Sequence, residues 1–168
     1  NALATIAAAE HVGVSIEVAC EALSNFGGVK RRMELLDTVK GIEVFDDFAH
    51  HPTAIDTTLE GARKRLGERK LWAIIEPRSN TMRMGSHKDG LAHSARLADE
   101  VIWYQPEGLD WDLQPVIDAS PNKAKVARTL DEIIQNVVAE AGEGDAVVIM
   151  SNGGFGGLHQ NLIAALKA

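Results

Sequence analysis

Two acidic residues and two histidines lie close together in the first third of the chain. Asp46 and Asp47 end an apolar run. His50 and His51 follow within four positions, and Pro52 comes next. Proline suits the first turn of a helix because its missing N–H would have no partner there, and the stretch after it repeats apolar residues at helical spacing. The pattern predicts a strand, a tight turn and a helix, with the four polar side chains in or beside the turn.

Carboxylates and imidazoles at such a turn are candidates for a binding site. Open α/β sheets bind ligands at the carboxyl ends of their strands, and titratable groups gathered there point to function. The same residue types also cap helices and occur in solvated loops. From the residues alone, a helix cap with loop histidines is therefore an equal alternative.

Two arginines follow a second apolar run, which spans residues 70–76. Arg78 and Arg83 lie in the polar loop after that run. A guanidinium is a planar fork that holds a carboxylate or a phosphate with two hydrogen bonds. Two solvated surface arginines are the alternative interpretation.

A glycine-rich turn, residues 151–157, follows the apolar run Ala146–Met150 and precedes a helical pattern. Backbone N–H groups at the positive end of a helix suit an anion. The turn lacks the lysine of a P-loop, and its spacing differs from the dinucleotide fingerprint. A purely structural turn is an equal alternative.

The order of elements predicts an α/β fold with a mainly parallel, Rossmann-like sheet and helices on both faces. Two helices open the chain, and a hairpin with its turn at Lys40-Gly41 leads into the site described above. The predicted helices are 1–11, 16–23, 53–66, 88–99, 129–141 and 158–167, and the predicted strands are 29–35, 42–46, 70–76, 100–104, 124–127 and 146–150. Residues 105–121 are predicted to form a loop with a short strand at 116–117. In the helix 129–141 we expect five apolar side chains to point inward: Leu130, Ile133, Ile134, Val137 and Val138.

Composition excludes several classes of protein. The 168 residues carry a formal net charge of −7, whereas a nucleic-acid binder needs a basic face. The aliphatic runs are too short to span a bilayer. The single cysteine, Cys20, lies among apolar residues and is expected to be a buried, unreactive thiol. The chain starts at Asn1 inside a helical pattern, as a piece of a longer protein would, and we expect a cytoplasmic location.

Three stretches resemble the Mur ligases, ATP-dependent enzymes that build the peptide of bacterial cell-wall precursors. The residues Asp-Asp-Phe-Ala-His-His-Pro at 46–52 resemble a segment of the family's C-terminal domain that faces the nucleotide. The residues Asn-Ala-Leu-Ala at 1–4 resemble half of an Asn-x-x-Asn motif that closes the central ATPase domain, and residues 26–34 resemble the interdomain linker. The resemblance implies that residues 1–28 end the central ATPase domain and its linker and that residues 29–168 form the C-terminal domain.

The resemblance also implies a set of nucleotide-binding residues, and the carboxylates of the peptide substrate lead us to expect a second set. Nucleotide contacts are expected from Asn1, Arg32, Asp46, Asp47 and His50. Contacts to a peptide substrate are expected from Arg78, Asn80, Arg83, Asn152, Gly153 and Gly154. Many relatives have tyrosine where Phe48 stands, so any role of a hydroxyl group is missing here.

Residues 76–85 and 151–159 resemble the family members that join UDP-N-acetylmuramate to the tripeptide L-alanyl-γ-D-glutamyl-meso-diaminopimelate in peptidoglycan recycling. This implies ATP and Mg²⁺, a reaction through an acyl phosphate, and partner domains on the N-terminal side that hold the P-loop, the metal ligands and the UDP site. No catalytic residue and no metal site are assigned to this chain, which is expected to be inactive alone.

Three alternatives remain. The alanine-adding ligase shares the Asp-Asp-x-x-His-His-Pro turn. A free-standing α/β module could bind a small anion at the glycine-rich turn. A metal site could use the histidines at 50, 51, 87 and 93, but His87 and His93 do not share a helix face, and the usual zinc-binding patterns are missing.

Overall fold

A computed structural model describes residues 1–77, 88–109 and 111–168, except for the side chains of residues 88 and 89. The strands are β1 (Glu34–Val39), β2 (Ile42–Asp47), β3 (Leu71–Ile75), β4 (Glu100–Tyr104), β5 (Lys123–Ala127) and β6 (Ala146–Met150). The described helices are α1 (Ala2–His11), α2 (Ile16–Ser24), α3 (Pro52–Leu66), α4 (Lys88–Ser94), α5 (Gln114–Asp118), α6 (Leu130–Glu140) and α7 (Leu158–Lys167).

The six strands form one sheet in the order β1-β2-β6-β3-β4-β5. Every neighbouring pair is parallel except β1 with β2. Met150 is in register with Asp47 on one side and with Ile75 on the other. The carboxyl ends of β2, β6 and β3 are therefore level at one edge of the sheet, and the predicted mainly parallel α/β fold is confirmed.

Two hydrophobic cores lie on opposite faces of the sheet because successive strand residues point to opposite faces. On β3, Ala73 and Ile75 join the core covered by α3, α4 and α5, whereas Trp72 and Ile74 join the core covered by α6 and α7. All five residues of β3 are buried, as expected of a strand in a sheet that is covered on both sides.

Local sequence determines how the chain enters the site. Lys40 and Gly41 have φ angles of 49° and 80°. Positive values at both central residues are typical of a type I′ hairpin turn, so the predicted hairpin is confirmed. Pro52 lies in the first turn of α3, and the ring of His51 accepts a hydrogen bond from the Thr53 amide at 3.3 Å. His51 is thus a helix cap, one of the two roles left open by the sequence.

Several element boundaries were wrong. The strand predicted from Val29 begins only at Glu34, because Arg31 and Met33 adopt positive φ angles that interrupt an extended chain. The helix predicted to reach Asp99 ends at Ser94. The strand predicted at 116–117 is instead part of α5, which has a proline in its first turn.

Two predictions of burial were also wrong. Val138 on α6 is 44% exposed. The residues of that helix that are fully buried are Ile133 and Val137. Cys20 is exposed, because α2 buries only Ala19 and α1 buries no residue. In the described part of the chain, no helix combines the length and the apolar character that crossing a membrane requires.

Candidate functional site

The carboxyl ends of β2, β6 and β3 bring together most of the predicted site residues that the structure describes. The Ser151 amide, which follows β6, donates a hydrogen bond to the Asp47 carbonyl at 3.1 Å, and the Glu76 amide, which follows β3, donates to the Met150 carbonyl at 3.0 Å. The acidic turn and the glycine-rich turn are therefore neighbours. Asn1 precedes α1, which packs against α2. Arg78, Asn80 and Arg83 lie outside the described residues.

Asp47 holds the turn after β2 in place. Its side chain is buried at 2% exposure. One carboxylate oxygen accepts from the Met33 amide at 2.9 Å, and the other accepts from the Ala49 amide at 2.8 Å and from the Thr58 hydroxyl at 3.1 Å. The carboxylate thus joins the segment before β1, the turn and α3. Direct contact of Asp47 with a nucleotide stays a prediction.

Asp46 connects two residues that the sequence analysis did not identify. Its carboxylate accepts from Nε of Arg31 at 3.1 Å, and its second oxygen lies 3.2 Å from Nε2 of His159. Arg31 also donates through Nη2 to the carbonyls of Ser151 at 2.6 Å and Gly153 at 2.7 Å. One guanidinium therefore fixes the glycine-rich turn against β2.

Nothing in the spacing of the sequence singles out these two residues. Arg31 stands beside Arg32 in the segment before β1, and Arg32 is the better match to the family's motif. His159 is the second residue of α7, a position where the sequence alone predicts an ordinary surface side chain. Only the folded chain brings both side chains to Asp46.

Glu76 and Ser151 form a second buried pair between β3 and β6. Their exposures are 7% and 0%. The Ser151 hydroxyl donates a short hydrogen bond to the Glu76 carboxylate and accepts one from the Gly153 amide at 2.9 Å. The Gly153 N–H, which was expected to bind an anion, therefore already has a partner within the chain.

Phe48 forms an aromatic surface beneath two arginines. The guanidinium carbons of Arg31 and Arg32 lie 5.1 and 5.8 Å from the centre of the ring, and the ring of His50 meets it edge-on at 5.3 Å. Arg32 is exposed, and no described carboxylate lies within 4.0 Å of its guanidinium. An exposed arginine of this kind suits a phosphate, as the nucleotide prediction requires.

The glycines of the turn have different reasons to be glycine. Gly156 has a φ of 56°, and a Cβ there would lie 2.6 Å from Cδ1 of Leu130 on α6. Gly154 is exposed, and a Cβ there would meet nothing within 4 Å. Gly156 is thus required by packing, whereas Gly154 lies at the open surface, where a ligand could approach.

Electrostatics around the turn disfavour a further negative charge. Burial raises the pKa of Tyr104, and the nearby charges of Glu76 and Glu107 raise it further. Asn152 buries its amide oxygen without a hydrogen-bond donor among the described residues. Within residues 1–77, 88–109 and 111–168, no three His, Cys, Asp or Glu side chains form a group that could hold a metal ion.

This arrangement, a parallel sheet with an acidic turn and a glycine-rich turn at one edge, matches a known protein family. The family model described as Mur ligase, glutamate ligase domain, matches residues 31–153. The chain belongs to this family.

Individual relatives give a finer comparison. A UDP-N-acetylmuramate–L-alanyl-γ-D-glutamyl-meso-2,6-diaminoheptandioate ligase of Haemophilus influenzae is 46% identical over 99% of this chain and 37% of its own length. A murein peptide ligase of Psychrobacter arcticus 273-4 has a crystal structure that is 57% identical, with a TM-score of 0.78, over 99% of this chain and 36% of that one. A UDP-N-acetylmuramate–L-alanine ligase of Mycobacterium marinum is 31% identical over 99% of this chain and 36% of its own. The chain thus spans little more than a third of the length of these relatives.

Proposed function

We propose that this chain is the C-terminal part of an ATP-dependent ligase that joins UDP-N-acetylmuramate to L-alanyl-γ-D-glutamyl-meso-diaminopimelate. One observation carries the proposal. Over almost the whole chain, the identity to the tripeptide ligase of Haemophilus influenzae is 46%, against 31% to an alanine ligase. Membership of a ligase family favours this function over a free-standing anion-binding module.

The reaction activates a carboxylate. The muramate carboxylate takes the γ-phosphoryl group of ATP to give an acyl phosphate, the amine of the tripeptide attacks the acyl carbon, and phosphate leaves. Mg²⁺, when bound by the other domains, would neutralise charge on the phosphates. In this proposal the P-loop and the metal ligands belong to domains outside this chain. The role of this chain is to complete the nucleotide site and to hold the incoming peptide.

Several features of the chain fit a nucleotide. Arg32 presents an exposed guanidinium beside the acidic turn, where it can meet a phosphate when the domains close. The carboxylates of Asp46 and Asp47 accept hydrogen bonds from the chain itself, so these residues position the turn. Their predicted contact with the nucleotide would add to this role, beside contacts from Arg32, His50 and Asn1. The resemblance to the family places Mg²⁺ mainly on the central domain, and we keep that assignment as part of the proposal.

The incoming peptide is expected at the neighbouring glycine-rich turn. The peptide carries carboxylates, which the guanidinium groups of Arg78 and Arg83 are suited to bind. Asn152, Gly153 and Gly154 are part of the glycine-rich turn. We further propose that residues 1–28 belong to the central domain. The exposed apolar side chains of α1 and α2, such as Leu3 at 84% and Val18 at 55%, are consistent with a surface that this domain covers. A cytoplasmic location stays a prediction.

The test is a substrate comparison with the full-length protein. ADP release is measured with UDP-N-acetylmuramate and either the tripeptide or L-alanine as acceptor. We expect turnover with the tripeptide, little with L-alanine, and none from the 168-residue chain alone. Preference for L-alanine would make the protein an alanine-adding ligase, and no turnover with either acceptor would refute the proposal.

A further inference from the structure

Glu76 differs from the other buried carboxylates of the described chain. Each of the others has at least one cation or two or more hydrogen-bond donors. Asp46 has Arg31 and His159, Asp47 has three donors, Glu100 has Lys70 and Lys123, and Asp145 has the Trp72 indole and the Gly142 amide. Among the described residues, Glu76, at 7% exposure, has only the neutral hydroxyl of Ser151 as a partner.

A buried carboxylate without a cation is costly, because burial removes water that nothing else replaces. No described lysine, arginine or histidine lies within 4.0 Å of Glu76. The surroundings of Glu76 are negatively charged, since the charges of Glu76 and Glu107 help to raise the pKa of Tyr104. Asn152, the residue after Ser151, buries an amide oxygen with no described donor. A positively charged donor is what Glu76 lacks among the described residues.

We propose that Glu76 binds an ammonium group of the ligand. Taken together with the proposed function, on which this step rests, the ligand is the tripeptide and the group is the free amine at the distal end of its diaminopimelate residue.

The choice between the two amines of the tripeptide follows from their chemistry. The alanyl amine must lose its proton before it attacks the acyl phosphate, because only the neutral amine has a lone pair to donate. A buried carboxylate stabilises the protonated form of any amine that it contacts. Glu76 would therefore inhibit the nucleophile, whereas the distal amine takes no part in the reaction and can stay charged.

This assignment makes Glu76 a specificity residue for diaminopimelate. A tripeptide with 2-aminopimelate in the same position keeps both carboxylates and lacks only the distal amine. Losing one partner of a buried charge pair weakens binding by about 30-fold or more. We therefore expect the wild-type full-length enzyme to show a KM about 30-fold higher or more for the aminopimelate peptide, with little change in the KM for ATP.

The variant Glu76→Gln supplies the second half of the test. Its amide oxygen still accepts from Ser151, so the turn is kept while the charge is removed. We expect the KM for the diaminopimelate peptide to rise to that of the aminopimelate peptide, whose own KM stays unchanged. Glu107→Gln is the matched control, since it removes one charge from an exposed residue near Tyr104 and should leave both values as they are.

The results distinguish the inference from the function beneath it. If the wild type uses both peptides equally well, or if Glu76→Gln weakens both by the same factor, Glu76 does not recognise the amine, although the enzyme remains a tripeptide ligase. If the wild type does not ligate the tripeptide at all, the proposed function fails first. The comparison of two peptides on the wild type holds even if the variant folds poorly.

Discussion

Replacing Arg31 should loosen the glycine-rich turn and destabilise the whole domain. Its guanidinium makes hydrogen bonds to Asp46, Ser151 and Gly153 at 3.1, 2.6 and 2.7 Å. Hydrogen bonds from a charged group contribute about 1.5–3 kcal/mol each when buried. The Arg31 side chain is 31% exposed, so water replaces part of this stabilisation. For Arg31→Ala we expect a loss of about 2–3 kcal/mol in the free energy of unfolding.

The backbone at position 31 allows a second, independent comparison. Arg31 has a φ of 57°, in the left-handed region that costs a non-glycine residue about 1 kcal/mol. Arg31→Gly removes the same hydrogen bonds and also relieves this strain. It should therefore be about 1 kcal/mol more stable than Arg31→Ala.

Urea unfolding of the 168-residue chain, followed by the fluorescence of the buried Trp72 and Trp103, measures these differences. With a slope of about 2 kcal/mol per molar urea, Arg31→Ala should lower the midpoint by about 1 M. Arg32→Ala is the matched control, because this adjacent arginine lies over the same ring of Phe48 but is exposed. It should cost less than about 0.5 kcal/mol. If the two alanine variants are equally stable, the role assigned to Arg31 is refuted.

Three further predictions concern other parts of the chain. In the full-length enzyme, Arg78→Ala or Arg83→Ala should raise the KM for the tripeptide and spare that for ATP, and an unchanged tripeptide KM would contradict the assignment. Thr129→Ala should cost about 1 kcal/mol in urea unfolding, because Thr129 forms a complete capping box with Glu132 at the start of α6; no loss would show that the cap is dispensable. The only tyrosine, Tyr104, should titrate by ultraviolet absorbance above its usual pKa of 10.0, and above about pH 10 stability should fall as pH rises, because the unfolded chain releases a proton that the folded chain keeps. Titration of Tyr104 at or below its usual pKa would contradict this.

The sequence predicted the sheet well because its buried strands are short, continuous apolar runs. Ala146–Met150 and Glu100–Tyr104 have the predicted bounds. Such runs predict the strand bounds because a strand that is buried on both faces accepts almost only apolar residues. The apolar pattern fails to predict where β1 begins, because the positive φ angles of Arg31 and Met33 interrupt the strand and cannot be recognised from the residue types.

The site was only partly predictable for a related reason. The turns at 46–52 and 151–157 were located from the residues, because acids, histidines and glycines after apolar runs are visible in the sequence. The pairings Arg31–Asp46, His159–Asp46 and Ser151–Glu76 join residues far apart in the chain. Such partners are chosen by strand order, and the order β2-β6-β3 appears only in the folded chain.

The outermost strands of the sheet have a bearing on how the domain behaves at high concentration. In the described chain β1 and β5 have a strand on one side only, so each exposes backbone groups to which another chain could add. The register of β1 is irregular between Leu35 and Asp37, and β5 carries Lys123 and Lys125. Strand addition at β5 would crowd ammonium groups against the incoming chain. The irregular register of β1 and the lysines of β5 thus discourage the addition of further strands to the sheet.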